Sequence, residues 1–272
     1  MSGRLAAWAL ALPATLLVAL FLGLPVLATF STTLEGGLGS YGAFFGSGFQ
    51  RTVLWRTMEV ALLTTAISLL VGFPAAWVVA RAPGRLRSLL IIAAVFPLLT
   101  GVVVRSFAWL VILGREGIVN DLLLRLGLVA EPLSMLYTQG SVVVAMVYLF
   151  VPLTILTLVG VLEGIPEDLA DAALSLGATP WGAFRQVILP MATPGLIVSA
   201  VLVFTLSFTS YATPQLLGGD RQMMMGTFLY QRAMVTFDWR SASTVAAIMV
   251  VVTLLTVLAM SRLARRLNPV AG

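Results

Sequence analysis

Cysteine and histidine are both absent from this chain of 272 residues, and all 16 of its basic residues are arginine. Without cysteine there is neither a disulfide nor a thiol nucleophile, and without cysteine and histidine the usual zinc sites are excluded. The lack of histidine also removes the commonest general base. Because a P-loop requires lysine, the chain cannot bind ATP through that motif. We therefore expect no catalytic residue, no metal and no cofactor on the chain itself.

Charged residues are scarce as well. They make up 10% of the chain, whereas hydrophobic residues make up 60% and the mean hydropathy is +1.04. A soluble domain of this length is much more polar. The composition places the chain in a lipid membrane and predicts no nucleic-acid partner.

Six apolar runs are long enough to span the roughly 30 Å of bilayer hydrocarbon as helices of about 20 residues. Because an isolated strand cannot satisfy its backbone in lipid, we predict an all-α polytopic membrane protein, with residues 1–272 forming one transmembrane domain. The first run is too long for the core of a signal peptide and is expected to be retained. The predicted helices occupy residues 5–30, 57–81, 88–113, 141–162, 191–215 and 241–261.

The placement of arginine indicates that both termini are cytoplasmic. The numbers of arginines on the two sides are nearly equal, but the dense clusters at 81–87 and 262–266 adjoin helix ends without a neighbouring acid. This orientation makes 163–190 a cytoplasmic loop. The predicted outer loops are 31–56, 114–140 and 216–240.

The loop at 163–190 has the pattern of two short amphipathic helices. In the first helix, apolar residues recur at i, i+3, i+4 and i+7, and Gly177 is placed to end it. Thr179 is placed to cap the second, which Pro190 is expected to end. Because so small a pair cannot bury its apolar stripes alone, it is either a docking element or a connector lying on the membrane surface. The stripes consist of Leu169, Ala172, Ala173 and Leu176 in the first helix and Trp181, Phe184 and Ile188 in the second.

This loop resembles the cytoplasmic signature of bacterial ABC importer permeases. The signature runs Glu-Ala-Ala, three residues, Gly, nine residues, Ile, one residue, Leu-Pro. Here Asp171 replaces the Glu and Val187 replaces the Ile, so the carboxylate is kept with a shorter reach. The remaining signature positions are filled by Ala172, Ala173, Gly177, Leu189 and Pro190.

The resemblance implies a coupling helix that docks onto a separate ATPase. It also implies two ATPase subunits that carry ATP and Mg²⁺, a second homologous permease, an extracytoplasmic solute-binding protein and a location in the bacterial inner membrane. The second permease is expected to be a different chain, which makes a heterodimer. The coupling residues implied are Asp171, Ala172, Ala173, Gly177, Trp181, Phe184, Leu189 and Pro190.

Three further stretches are similar to spermidine/putrescine importer permeases. They are GFPAAW at 72–77, GREGIVNDLLLRLG at 114–127 and LLGG at 216–219. The resemblance covers about residues 57–262 and implies an amine as the cargo. Because permeases for iron, sulfate, phosphonate and other small solutes share parts of these stretches, such a cargo is the alternative.

Six residues are candidates for the solute pathway. An arginine within an apolar run either lines a path or extends its guanidinium to the interface. If Arg105 has a partner, Glu59 is the acid best placed, although Glu59 alternatively pairs with Arg56 one helical turn away. Hydroxyls on the fifth helix contact cargo or bond to their own backbone. The candidates are Glu59, Arg105, Trp109, Ser207, Phe208 and Tyr211.

Two other classes of function stay open on the residues alone. A stand-alone channel or secondary transporter needs no docking element, and more often shows inverted repeats or buried carboxylates for ion coupling. A membrane enzyme is disfavoured by the missing histidine, cysteine and lysine, although chemistry based on serine or carboxylates is not formally excluded.

Overall fold

The computed structural model describes residues 2–35 and 39–267, and every regular element within these ranges is helical. Five helices are long and apolar enough to cross a membrane, and a bent pair of helices brings the number to six when it is counted as one crossing. The prediction of an all-α polytopic membrane protein is confirmed.

The helices follow one another with short connections. A π-helical turn at Phe184–Ile188 joins α9 to α10, and a second at Gln231–Val235 follows α12. In chain order the helices are α1 (Ser2–Glu35), α2 (Gly39–Gly46), α3 (Gly48–Arg81), α4 (Gly84–Leu99), α5 (Val102–Leu113), α6 (Ile118–Arg125), α7 (Gln139–Glu163), α8 (Glu167–Ser175), α9 (Pro180–Ala183), α10 (Leu189–Phe208), α11 (Ala212–Gly218), α12 (Met225–Tyr230) and α13 (Trp239–Leu267).

The described residues fall into two compact units. The smaller unit contains the described residues within Met1–Thr52 and Phe228–Val252. The larger unit contains the described residues within Val53–Thr227 and Thr253–Gly272. Every candidate residue lies in the second, larger unit. Whether the whole chain acts as one domain stays a prediction.

The core of the larger unit is built around α7. Of its membrane span, 56% is buried, compared with 33% for α3 and 39% for the span that contains α10. Small residues let the neighbouring helices approach it closely: Gly72 of α3 lies against Thr154, and Gly195 of α10 lies against Val161. Two apolar clusters surround α7, one with Val60, Met146, Phe150 and Val203, the other with Ala76, Leu158, Leu162 and Ala192.

The third predicted span, residues 88–113, is broken in two. Helix α4 ends at Leu99, α5 begins at Val102, and the segment Val102–Arg125 is bent by 94° from Gly84–Leu99. Thr100 and Gly101 between them are extended, with ψ angles of 141° and 143°. The Thr100 hydroxyl donates to the Pro97 carbonyl at 2.8 Å and so competes for a helical acceptor. The prediction of one helix was wrong here because the apolar run continues without interruption through the break.

The fifth predicted span, residues 191–215, has different ends. A continuous helical path runs from Pro180 to Phe208, so Pro190 does not end the loop helix as predicted. In the π-turn before it, the Leu189 N–H donates to the Phe184 carbonyl, one residue further back than in an α-helix. This wider turn relieves the clash that a proline ring makes with the carbonyl four residues earlier. The loop and the span are therefore one helix.

The close contact between Gly72 and α7 predicts a stability effect. A Cβ at Gly72 would lie 2.5 Å from Cγ2 of Thr154, which is buried and has a stiff, branched side chain. We expect Gly72→Val to lower the free energy of unfolding by about 1–3 kcal/mol, the usual cost of overpacking. Gly160→Val on α7 is the matched control, because a Cβ there meets no atom within 4 Å. Thermal unfolding of the detergent-purified protein measures both, and equal midpoints would contradict the packing.

Candidate functional site

The turn after α8 is a rigid helix stop. Gly177 has a φ of +88°. Its N–H donates to the Leu174 carbonyl at 3.0 Å, and the Ala178 N–H donates to the Ala173 carbonyl at 3.0 Å. These two bonds form a Schellman motif, in which glycine is preferred because it adopts a positive φ at little cost. The predicted role of Gly177 as the end of the helix is confirmed.

The second helix of the loop begins with a side-chain cap. The Thr179 hydroxyl accepts a hydrogen bond from the Gly182 N–H at 3.1 Å, and Pro180 occupies the first helical position. A hydroxyl cap satisfies one of the free N–H groups at a helix start, and proline has no N–H to leave free. The predicted start of this helix is confirmed, and the helix-turn-helix has one defined shape.

Aromatic contacts hold this element against α3. The Phe184 ring stacks on Trp181 with centroids 5.2 Å apart and meets the edge of Phe73 at 5.8 Å. Ala183 and Ile188 are buried beside them. The predicted stripe therefore divides: its Phe184 and Ile188 part packs inward, whereas Trp181 stays 69% exposed. Leu189 and Pro190 are half-buried in the continuous helix.

The helix-turn-helix exposes several large apolar side chains, which we together call the loop surface. It consists of Leu169, Leu174, Leu176 and Trp181. Leu176 is 89% exposed, although the turn that carries it is fully hydrogen-bonded. Of the remaining coupling candidates, Asp171 and Ala172 are exposed and Ala173 is half-buried. An apolar surface on an ordered turn has the character of a contact site.

An ion pair supports the base of this loop. The guanidinium of Arg87, near the start of α4, pairs with the carboxylate of Glu163, the last residue of α7. Nearby in sequence, the Arg81 guanidinium carbon lies 4.4 Å from the centroid of the Trp77 ring on α3. The basic cluster at 81–87 therefore contributes to fixing the helix ends from which the loop extends.

Neither predicted partner of Glu59 is found. Among the described residues no ion pair includes Glu59, whose side chain is exposed. Arg56 instead donates from Nη1 to the Met223 carbonyl at 3.3 Å. Nε and Nη1 of Arg105 are buried with no hydrogen-bond partner in the described part of the chain. Within the described ranges, the two charged pathway candidates are thus both without an ion-pair partner.

The uncharged pathway candidates are divided between two helices. Trp109, one turn after Arg105 on α5, meets the edge of Tyr148 with ring centroids 5.6 Å apart. On α10, Ser207 and Phe208 are fully buried, and Tyr211 is half-buried just beyond the helix end.

The connection between α5 and the segment after α10 uses residues that sequence reasoning did not select. The hydroxyls of Ser106 and Thr213 lie 3.2 Å apart and are buried. Thr213 belongs to the run of hydroxyl residues at 205–213 on the fifth predicted helix, but Ser106 has no distinguishing sequence signal.

Asn120 was also missed, and it organises the loop after α5. Its amide nitrogen donates to the carbonyls of Gly114 and Leu133, both at 3.0 Å, and its amide oxygen accepts from the Leu133 N–H at 2.8 Å. A Cβ at Gly117 would collide with the Val111 carbonyl, so the turn requires glycine there. The Gly-x-x-Gly-x-x-Asn spacing within residues 114–120 was the available signal.

Comparison with known proteins gives the family. Residues 61–269 match the model of the binding-protein-dependent transport system inner membrane component. The chain belongs to this family. It is therefore a multi-pass permease component of an ABC importer in the inner membrane, and the resemblance inferred from the loop signature is confirmed.

Among curated relatives, the spermidine/putrescine permease PotB of Haemophilus influenzae is 31% identical over 194 residues, which cover 71% of this chain and 68% of the relative. PotB of Escherichia coli is 28% identical over 216 residues, covering 79% and 78%. The molybdenum permease ModB of Azotobacter vinelandii is 34% identical over 164 residues, covering 60% and 71%. The curated relatives thus include permeases named for an amine cargo and a permease named for molybdenum.

Solved structures support the fold. One match is a chain of the bacterial alginate ABC transporter, crystallised with its alginate pentasaccharide-bound periplasmic protein. Its TM-score is 0.80 at 16% identity, and the match covers 98% of this chain and 96% of that one. The MetNI methionine transporter matches with a TM-score of 0.57 at 19% identity, covering 82% and 99%. At these identities the likeness concerns the fold alone.

The hydrogen bonds of Asn120 predict that the permease loses stability when they are removed. We expect Asn120→Ala to lower the free energy of unfolding by about 2–4 kcal/mol, since it removes three part-buried hydrogen bonds. Asp121→Ala is the matched control, because its 2.9 Å ion pair with Arg125 is exposed and contributes little. Limited proteolysis of the loop between α5 and α7, with thermal unfolding, measures the difference. Equal protection in both variants would contradict the role of Asn120.

Proposed function

We propose that this permease imports a polyamine or a related small amine. The proposal is supported by the similarity to PotB over most of the chain and by the resemblance of three stretches of the sequence to spermidine/putrescine permeases. An anionic solute is the second candidate. Two observations favour it: the unpartnered Nε and Nη1 of Arg105, and the similarity to a molybdenum permease.

The proposed coupling site is the loop surface. The observation that carries this proposal is Leu176, 89% exposed on a turn fixed by the Schellman bonds. A rigid apolar projection suits a groove on a partner protein because little conformational entropy is lost when it binds. The partner is the ATPase implied by the signature, and Asp171 is the carboxylate that meets it.

Displacement of the loop surface is proposed to reach the membrane by two routes. The first is the helical path from Pro180 to Phe208, which leaves no loop between the docking element and the span. The second is the aromatic contact from Phe184 to Phe73 on α3. When two ATPase subunits close on ATP and Mg²⁺, the loop moves and the bundle changes between inward-open and outward-open states. In this mechanism the permease itself makes and breaks no covalent bond.

The proposed assembly contains two ATPase subunits, two permeases and a solute-binding protein. ABC ATPases work as pairs, and this chain carries one coupling loop, so a second permease is required. We propose a different, homologous chain in that position. Both termini and the loop at 163–190 lie in the cytoplasm in this proposal.

Replacing Leu176 tests the docking surface. We expect Leu176→Asp to leave folding and membrane insertion unchanged, because the side chain is almost fully exposed. Co-purification with the ATPase and transport should each fall by at least about tenfold, since an interface anchor contributes 2 kcal/mol or more. Leu128→Asp is the matched control, with the same change on a leucine 67% exposed in a predicted outer loop. Wild-type ATPase binding by Leu176→Asp would refute the docking site.

The charge of the cargo is tested by two substitutions measured in reconstituted vesicles. For a cationic amine, Glu59→Gln should lower uptake by about fivefold or less, because an exposed charge contact contributes about 1 kcal/mol at most. Arg105→Ala should then leave uptake unchanged or raise it. For an anion the outcomes are reversed. Basal ATPase activity should stay constant in both variants, and normal uptake in both would remove both charges from the pathway.

A further inference from the structure

The break between α4 and α5 leaves backbone groups without partners. In the described part of the chain, no hydrogen bond involves the N–H groups of residues 101–104 or the carbonyls of residues 98–100. Helical bonding resumes only at Arg105, whose N–H donates to the Gly101 carbonyl at 3.1 Å. The side chains of Thr100 and Val102–Val104 are exposed, so no described element of the larger unit covers the break.

The break lies within the depth of a membrane. Helix α4 starts beside Arg85 and Arg87, residues that mark a membrane interface. Its 16 residues extend about 24 Å at 1.5 Å per residue, less than the roughly 30 Å of hydrocarbon. Any tilt of α4 brings its end closer to the interface from which it started. Thr100 and Gly101 are therefore at membrane depth.

Lipid cannot cover this break. Irregular backbone facing hydrocarbon does not occur, because each unpaired N–H or carbonyl is costly there. Within α4, by contrast, the backbone is bonded and a stripe of large apolar side chains is exposed, as expected of a lipid-facing helix. The stripe consists of Leu89, Ile92, Phe96 and Leu99. The surface therefore changes character at Thr100, from a bonded apolar helix to an exposed polar backbone.

Arg105 adds a second polar group beside the break. It lies one turn into α5, and its buried Nε and Nη1 have no hydrogen-bond partner in the described residues. A guanidinium carries five N–H donors and stays charged, so it requires water or a polar ligand when no protein acceptor is present. The unpaired backbone and the unpaired guanidinium, both within about one helical turn of Gly101, thus each require a polar partner that the described residues do not supply.

We propose that the break at Thr100–Val104 lines the aqueous solute pathway of the assembled importer. Discontinuous membrane helices in transporters place free backbone groups around a central solute site, where water and solute satisfy them. This inference rests on the proposed function, because it assumes that the path passes along this chain. Coverage of the break by the second permease is the competing possibility, which the following experiment tests.

The absence of cysteine makes site-specific labelling direct. We would introduce Gly101→Cys, Ile92→Cys and Gly84→Cys singly and reconstitute each with the complete importer in vesicles. A Cβ meets no atom within 4 Å at Gly101 or Gly84, so these variants are expected to fold. The probe is a small, charged, membrane-impermeant methanethiosulfonate, and unreacted thiols are counted afterwards in the denatured permease.

We expect Gly101→Cys to react at a rate similar to Gly84→Cys, the loop control. Ile92→Cys, the lipid-facing control, should react about 100-fold more slowly, because a thiol in hydrocarbon does not form the reactive thiolate. Trapping the ATPase with ATP and vanadate should change the rate at Gly101→Cys but not at Gly84→Cys. Modification of Gly101→Cys should also block uptake.

Two results would overturn the proposal. A rate at Gly101→Cys as slow as at Ile92→Cys would mean that lipid or the second permease covers the break. Fast labelling that neither responds to trapping nor affects uptake would place the break on water outside the pathway. Thr100→Cys, a nearly isosteric change at an exposed position, repeats the test if Gly101→Cys does not assemble. Because labelling does not depend on ATPase docking, failure here is distinguishable from failure of the Leu176→Asp test.

Discussion

In hydrocarbon every backbone N–H and carbonyl needs a partner, and this constraint determines most of the architecture. It requires helices, and it also governs the polar side chains within them. The hydroxyls of Thr57 and Thr65 donate to carbonyls four residues earlier, each at 2.7 Å, and Thr154 does the same at 3.1 Å. Threonine can therefore be buried next to α7, where its small side chain permits close packing. Where the constraint is not met within the chain, as between α4 and α5, another polar environment has to meet it.

Local chemistry made part of the structure predictable from sequence. Helices at five of the six apolar runs, the stop at Gly177 and the cap at Thr179 each depend on residues within a few positions of one another, and each was predicted correctly. The signature residues identified the family for the same reason. Two predicted helix boundaries were wrong, because at each of them the residues give conflicting signals for continuing or ending a helix. A proline usually ends a helix, but the π-turn before Pro190 accommodates it, and a continuous apolar run concealed the break at Thr100.

Contacts between distant segments were beyond the reach of sequence patterns. Asn120 bonds to Leu133 across a turn, and Ser106 meets Thr213 on another helix; neither has a periodicity that would indicate its partner. The expected partner of Arg105 was chosen by proximity in a two-dimensional topology, and the structure shows no such pair. Which charges pair in a membrane depends on how each helix is rotated about its own axis. Apolar runs of this kind do not determine that rotation, because hydrophobic residues occur on all sides of the helix.

The location of the aromatic contact bears on how the proposed coupling works. Phe73, which meets Phe184 of the loop, directly follows Gly72, which packs closely against Thr154 of α7. A force applied at the loop surface thus enters α3 next to a close contact with Thr154, where α3 has little freedom to bend or separate from α7. The other route enters α10 through the π-turn, in which the helix is wider and its hydrogen bonds are out of α-helical register. Because Gly72 packs α3 against Thr154 and Gly195 packs α10 against Val161, the π-turn that precedes Pro190 is the point that deforms when the loop is displaced in the proposed mechanism.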